Sequence, residues 1–351
     1  MSSRAERTGR ETMRVSIARR TLRFAAPVHT SYGTLSRREI VELRLQDADG
    51  VTGRGEAAPL EPYDGVPLDR VLAALEAYRP VLERLPEDGA ALLDACRSVD
   101  DLPQALAAVD LALWDRAARR AGRPVAALLA DDPLPAVPVN AALAAGDRAG
   151  AAAQAAAARA AGFRCVKLKV GTGDDAGRVA AVRAALGPDV DLRLDANGAW
   201  SPPEAVRAIE TLAPAGLELV EEPVHGLDGL RAVRERVAVR IAMDETADVP
   251  GALASGAADA VCLKLGRCGG ISGLLACATL VRTSGAEPYV ASTFDGPLGI
   301  AGALHAAAAL RVAPACGLAT LDLFAAAPGD DAAALRARDG AIAVPAGPGL
   351  L

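Results

Sequence analysis

Aromatic residues are scarce: two tryptophans, four tyrosines and four phenylalanines in 351 residues. A core with so few rings must rest on aliphatic side chains. Histidine is scarcer still, at three copies, so chemistry needing several imidazoles in one place has little to draw on. Long apolar runs are absent; the alanine-rich stretch AGALHAAAAL falls far short of the roughly 20 residues of a membrane span and carries a histidine. No basic run exceeds RR and the net charge is −6, which argues against a nucleic-acid or acidic-membrane partner. The six cysteines (Cys96, Cys165, Cys262, Cys268, Cys277, Cys316) show no CxxC spacing and lie mostly in apolar contexts, so reduced thiols in a cytoplasmic protein are expected. The opening MSSRAERTGRET is polar with no apolar segment behind it, which predicts a disordered tail over 1–12 and no secretory signal.

What is present falls into two grammars. From Met13 to about Gly55, VSIARRTLRF, REIVELRLQD and VTGRGEA alternate as strands, with an Asp-Gly turn at DADG. Between the first two, PVHTSYGTLS reads as a loop of small and hydroxyl residues. Helices are predicted over Leu68–Arg84 and Gln104–Ala121, the latter presenting Leu106, Val109, Leu113 and Ala117 on one face. Residues 13–130 thus read as an α+β domain. After DDPLPAVPVN, apolar strands alternate with alanine-rich helices such as Arg148–Ala161 and Pro203–Leu212. Strands are placed near 137–141, 163–170, 191–196, 217–223, 239–244, 260–265, 287–293 and 317–322. They are apolar on both faces, as buried parallel strands should be. The fold class is therefore α/β: a (β/α)8-type barrel over 131–324, capped by the N-terminal α+β domain. The segment 325–351 is expected to return to that domain, with AIAVP as a short strand.

Charge sits at the ends of the barrel strands. FRCVKLKVG carries Lys167 and Lys169 two apart, hence on one face. DLRLDAN, LELVEEP, VRIAMDE and AVCLKLG then supply Asp195, Glu221 or Glu222, Asp244 and Lys264. In a β/α barrel these ends converge on one mouth. Three carboxylates together repel unless a cation or a proton relieves them, and oxygen-only ligands suit Mg²⁺ or Mn²⁺ better than zinc. Taken singly, each carboxylate could equally cap a helix or pair with an arginine. Lysines inside barrel strands need partners, and Lys167 could simply neutralise the carboxylates. Lys169 and Lys264 come from opposite sides of the mouth, however, and would place an ammonium on each face of a bound molecule. Neighbouring positive charge can lower a lysine pKa toward neutrality, making it a usable base.

The ordered series KLK, LDAN, VEEP, MDE and LKLGRCGGI resembles the enolase superfamily in its muconate-lactonising subgroup. GRGEAAPL resembles that family's capping-domain signature, and AVDLALWDRAARRAGRPVAALL the helix before its barrel, so the likeness spans nearly the whole chain. The resemblance implies metal ligation by Asp195, Glu221 and Asp244. Glu221 is chosen over Glu222 because the family's ligand stands two residues before the proline, here Pro223. It implies Lys169 as principal acid/base, Lys264 opposite it, and Lys167 helping to position a substrate carboxylate. Asn197 and Glu245 match supporting positions, with Glu245 expected to pair with Lys264. The family's histidine-based branch does not fit, since His29, His225 and His305 occupy no matching strand end.

Further site candidates are Thr30 and Tyr32, in the loop that relatives fold over substrate, Ser292 and Asp295 in ASTFDGPLG, and Asp322 near the eighth strand. The glycines of GRCGG could cradle phosphate or merely permit a tight turn, and the turn is expected here. The resemblance implies a small-molecule carboxylate substrate and possible self-association. Its common step is removal of a proton next to a carboxylate through an enediolate. The C-terminal run through ACGL resembles o-succinylbenzoate synthases, which makes a dehydrating lyase the expected reaction. The alternatives are dipeptide epimerase, N-acylamino acid racemase or muconate cycloisomerase, which the ALWD helix and EPYDG loop resemble more. A mere binding protein on this barrel would have no need of two opposed lysines.

Overall fold

The computed structural model describes residues 13–84, 89–325 and 330–351; the tail expected over 1–12 lies outside them. Three antiparallel strands open the chain: β1 (Arg14–Thr30), β2 (Gly33–Gln46) and β3 (Thr52–Ala57). The segment PVHTSYGTLS is not the expected loop. β1 and β2 pair out to Thr30–Gly33, leaving Ser31 and Tyr32 as the tip of a hairpin, and the Thr30 hydroxyl donates to the Gly33 carbonyl at 2.7 Å. Small hydroxyl residues suit turns, but here cross-strand pairing runs from Val28–Leu35 to Thr30–Gly33 and leaves two residues at the tip.

One face of the sheet buries Val41, Leu43 and Leu45 against the helices Leu68–Leu82 and Pro103–Ala121. Each such fully buried side chain contributes roughly 1.5–3 kcal/mol, so a Leu43→Ala change would open a cavity at the centre of this layer. The helix Pro103–Ala121 starts with proline in its first turn and stops at Gly122 in the left-handed conformation, φ 64°. It also lies unusually close to β3. A Cβ on Gly53 or Gly55 would stand 2.0 or 1.9 Å from the carbonyl oxygens of Ala112 or Ala108.

After a short β4 (Ala136–Pro138), which lies outside the main sheet, the barrel strands are β5 (Ala141–Leu143), β6 (Cys165–Lys169), β7 (Asp191–Asp195), β8 (Leu217–Glu221), β9 (Arg240–Met243), β10 (Ala260–Leu263) and β11 (Glu287–Val290). From β5 to β11 they form one parallel sheet of seven strands in chain order. Helices follow most of them, at Arg148–Ala160, Asp175–Leu186, Pro202–Leu212, Leu227–Arg234, Ile271–Thr283 and Pro297–Leu310; between β9 and β10 there are only short 3₁₀ turns. The strand expected at 317–322 does not form. Instead Cys316 and Gly317 make single parallel bridges to Val139 and Ala291, and a 3₁₀ turn follows at Leu321–Leu323. The amide of Cys316 bonds Pro138 and that of Gly317 bonds Val290, so two residues close the ring. A Cβ on Gly317 would lie 2.9 Å from that of Ala291, which leaves room there for backbone alone.

AIAVP does give a strand, β12 (Ala341–Ala343), but it pairs with β4 at the start of the barrel. It is Gly349 and Leu350 that reach the first domain, bonding Arg123, Val125 and the Asp115 carboxylate. The two domains are also tied through Asp110, which accepts from the amide and hydroxyl of Ser272 beside the GRCGG turn. That turn leads directly into the helix Ile271–Thr283. Among the described residues, no helix is long and apolar enough to cross a membrane.

Candidate active site

Parallel pairing in register brings the strand ends together. Lys169 pairs with Asp195 and Asp195 with Glu221, while Asp244 and Lys264 follow directly on β9 and β10. Because inward residues alternate, Lys167 and Lys169 both face the barrel axis, as their spacing predicts. All three carboxylates are buried, at 1–3% exposure.

Lys167 bridges two of them, its Nζ lying 3.0 Å from Asp195 Oδ2 and 2.8 Å from Glu221 Oε1. Lys169 donates to Asn197 Oδ1 at 2.5 Å and stands 3.8 Å from Asp195. On the far side, Lys264 donates to Asp244 Oδ2 at 2.8 Å. Burial works against charge on Lys167 and Lys264, yet the adjoining carboxylates outweigh it and hold both protons well above the ordinary lysine range. The expected lowering is therefore not what these partners produce: Asp244 beside Lys264 acts the other way. Burial pushes the Glu221 carboxyl up, aided by Asp195 and Asp244. Burial also acts to raise Asp195 and Asp244, but the lysines facing them bring both below the usual carboxylate range.

Glu221 and Glu222 point to different tasks. Glu221 faces the barrel interior. Glu222, with φ 40°, accepts from the amides of Asp244 and Thr246 and from the Thr246 hydroxyl, fixing the turn that carries Asp244. His225 Nδ1 lies 3.0 Å from the same carboxylate. Asn197 joins Lys169 to Glu245, donating to Glu245 Oε1 at 3.0 Å. The expected pairing of Glu245 with Lys264 is absent, because Asp244 takes that ammonium; Glu245 Oε2 is buried without a hydrogen-bond partner. Its carboxyl is pushed up to about 7 by burial and the neighbouring carboxylates.

The outer candidates divide. Tyr32 stands at the hairpin tip with its ring centroid 5.7 Å from that of Tyr63. Burial raises its phenol pKa while Lys264 and Arg38 act to lower it, which sets it among the charges of the mouth. Thr30 pins the turn beneath it. The Ser292 hydroxyl shares a hydrogen bond with Thr320 and accepts from the Phe294 amide, holding the loop after β11. Asp295 is buried, accepts from Thr293 and is raised by burial, with Arg38 opposing. Asp322 is half exposed and paired with Arg336 at 3.2 Å.

Several residues escaped sequence reasoning. Tyr63, in a short helix Glu61–Asp64 of the first domain where a loop was expected, donates to Asp244 Oδ1 at 3.1 Å and accepts from Arg267. Lys264 lies 5.2 Å from its ring centroid. Tyr289 donates to Glu221 Oε2 at 2.7 Å from inside the barrel. Arg38 crosses between the domains, donating to the carbonyls of Ala58, Pro59 and Phe294. The scarcity of aromatics was the available signal, since three of the four tyrosines border this mouth.

The residues suit a hard divalent cation. Glu221, Asp244 and Cys262 offer ligand atoms within 4.8 Å of one another, but burial keeps the Cys262 thiol protonated. Asp195 is drawn to Lys167, whose ammonium already sits between two carboxylates as a cation would.

Comparison with known proteins identifies the family. Residues 12–130 match the mandelate racemase / muconate lactonizing enzyme N-terminal domain, and residues 150–350 the enolase C-terminal domain-like family. The L-Ala-D/L-Glu epimerase of Bacillus subtilis is 34% identical over 318 residues, 85% of each chain. Its substrate-liganded structure superposes with a TM-score of 0.88, at 30% identity, covering 97% of this chain and 98% of that one. The dipeptide epimerase of Enterococcus faecalis, solved with Mg and L-Leu-L-Tyr, gives a TM-score of 0.88 at 28% identity over 97% and 99% of the chains. The o-succinylbenzoate synthase of Thermobifida fusca is 43% identical, but over 163 residues, 45% of this chain and 50% of that one. With two family models and a relative alike over most of its length, the chain belongs to the enolase superfamily, in its muconate-lactonising subgroup, and is an enzyme.

Proposed function

We propose that this enzyme moves a proton off and back onto the carbon next to a carboxylate, epimerising a dipeptide or racemising an N-acylamino acid. One observation carries the reading: Lys169 and Lys264 stand on β6 and after β10, four strands apart, and bring an ammonium to the carboxylate cluster from each side. Stereochemical inversion needs a proton to leave one face and return on the other. Similarity to two dipeptide epimerases over 80–85% of this chain supports this over the dehydration expected from the ACGL region.

Asp195, Glu221 and Asp244 would hold Mg²⁺, with Mn²⁺ acceptable to the same oxygens. A divalent cation held there supplies charge that stabilises the enediolate of the substrate. Lys167 keeps Asp195 and Glu221 together and presents positive charge to the substrate carboxylate. Once Asp244 is committed elsewhere, Lys264 loses the anion that now fixes its proton and can exchange it. Tyr32 and Tyr63 close the mouth from the first domain and exclude water. All six cysteines are free thiols, which fits a reducing cytoplasm.

Dehydration to o-succinylbenzoate is the second reading, favoured by the Thermobifida fusca stretch. It requires one lysine to take the proton and assist the departing hydroxyl on the same face. Incubation in deuterated water separates the two. Epimerisation puts solvent deuterium at the α-carbon of both epimers of an L-Ala-L-Glu, hydrophobic dipeptide or N-acyl substrate. An ultraviolet-absorbing aromatic product from the o-succinylbenzoate precursor, with no exchange in any of these substrates, would decide for the lyase.

A further inference from the structure

Beneath the mouth, the barrel interior is a small apolar layer of Leu219, Ala242, Ala260, Cys262, Tyr289 and Ala291. A phenylalanine at 289 would fill almost the same space, so packing does not account for a hydroxyl there. Tyr289 is 2% exposed, and its hydroxyl donates to Glu221 Oε2 at 2.7 Å. The opposite oxygen, Oε1, takes Lys167 at 2.8 Å. Glu221 is thus gripped once at each oxygen, from above by an ammonium and from below by a phenol. A carboxylate has about four lone-pair sites, so this grip sets its plane and leaves the remainder free.

The ring that carries the hydroxyl is itself fixed. The Arg193 guanidinium lies 5.2 Å from the centre of the Tyr289 ring. It donates to both oxygens of Glu218, at 2.6 and 2.8 Å, and to the Ala315 carbonyl at 2.7 Å. With three bonds in a planar fork, it is an immobile platform rather than a free cation.

We propose that Tyr289 is a positioning residue that orients Glu221 for cation binding, held in place by the Arg193–Glu218 plug in the barrel floor. The proposal rests on the reading of Glu221 as a metal ligand. It makes metal affinity depend on a hydroxyl that rises from the apolar layer and meets the carboxylate cluster at Glu221. Groups that orient a ligand in this way are typically worth about 10–100-fold in affinity or activity.

The test is calorimetric titration of Mg²⁺ into the substrate-free protein. Tyr289→Phe is expected to weaken Mg²⁺ binding by about 10–100-fold, to raise the Mg²⁺ concentration for half-maximal rate, and to leave kcat at saturating Mg²⁺ nearly intact. The electron paramagnetic resonance spectrum of bound Mn²⁺ should change with it. Glu221→Gln, run in parallel, should abolish binding. If Glu221→Gln binds Mg²⁺ as well as wild type, the ligand reading itself fails. If Glu221→Gln loses binding but Tyr289→Phe keeps wild-type affinity and Mn²⁺ spectrum, the positioning role is overturned; a lower metal-free melting temperature alone would make Tyr289 a packing residue. Should Tyr289→Phe not fold, Arg193→Lys, which keeps charge but loses the fork, carries the same test with a smaller expected shift. An unchanged Kd in that variant would overturn the proposal.

Discussion

The barrel buries charge at both of its ends. At the floor, Arg193 is 1% exposed, and its donors go to Glu218 and the Ala315 carbonyl. At the mouth, three carboxylates share three lysines, Glu245 Oε2 has no partner, and Glu221 and Glu245 are pushed toward the neutral form. The floor is a closed account of donors and acceptors, whereas the mouth is left with charges that a ligand can rearrange. That difference separates a buried ion pair that holds a barrel together from one still open to a ligand. Residue type alone does not reveal it, because both ends carry Arg or Lys beside Asp or Glu.

The comparison is broken most severely at the mouth. Lys169→Ala and Lys264→Ala should each lower turnover by about 10²–10⁴-fold while the melting temperature in Mg²⁺ stays near wild type. Each variant should also exchange the α-proton of only one epimer, which nuclear magnetic resonance in deuterated water resolves. A variant that keeps more than about a tenth of the wild-type rate would remove that lysine from acid/base duty.

At the floor the same kind of deletion should cost stability. Arg193→Met strands Glu218, whose side chain is 19% exposed, and leaves the Ala315 carbonyl without its donor. Breaking a buried pair in this way costs about 3–5 kcal/mol, and the partial exposure of Glu218 places the expectation near the lower figure. Denaturant titration measures it, and Arg193→Met with Glu218→Gln should recover part of the loss. A loss below about 1 kcal/mol would show the floor pair to behave like a surface one.

Much of the mouth was legible because the signal was local. KLK, LDAN, VEEP, MDE and LKLG each place a charge at the end of an apolar run, and parallel register does the rest. Arg193 is also a charge in an apolar run, inside DLRLD on the same side as Asp195, yet in mid-strand, two residues short of the end, it serves the floor. Tyr63 and Tyr289 could not be placed this way. Tyr63 reaches Asp244 across 181 positions of sequence, and Tyr289 looks like any aromatic in a strand. The eighth strand was over-read for a related reason. A two-residue bridge has no periodicity, and its place is set by the gap between Val139 and Ala291. Nothing within TLDLF foretells Arg336 beside Asp322 either.

A buried carboxylate where the first domain meets the barrel sharpens the comparison through pH. Glu56 leaves β3 and caps the helix Pro297–Leu310 of the barrel, accepting from the Gly296 amide at 2.6 Å. It is buried, and burial together with Asp295 raises its pKa to about 8, against the amides of Gly296 and Gly299 and the more distant Arg38. In the unfolded chain the same group titrates near 4.5. Between these values the folded protein holds a proton that the unfolded chain has released. Folding stability therefore falls as pH rises, by at most about 1.4 kcal/mol per pH unit from this group. Below the lower value both states are protonated, above the upper value both are ionised, and the dependence flattens at each end. Glu245 adds a slope of the same sign up to about 7, so the measurement must be a difference. Glu56→Gln keeps an acceptor for the Gly296 amide and cannot titrate. Denaturation midpoints of both proteins at pH 5, 7 and 9 should converge at low pH and separate at high pH, the variant being the more stable at pH 9. Parallel curves for the two would mean that the Glu56 site stays hydrated and ionises in the folded protein as it does in the unfolded chain.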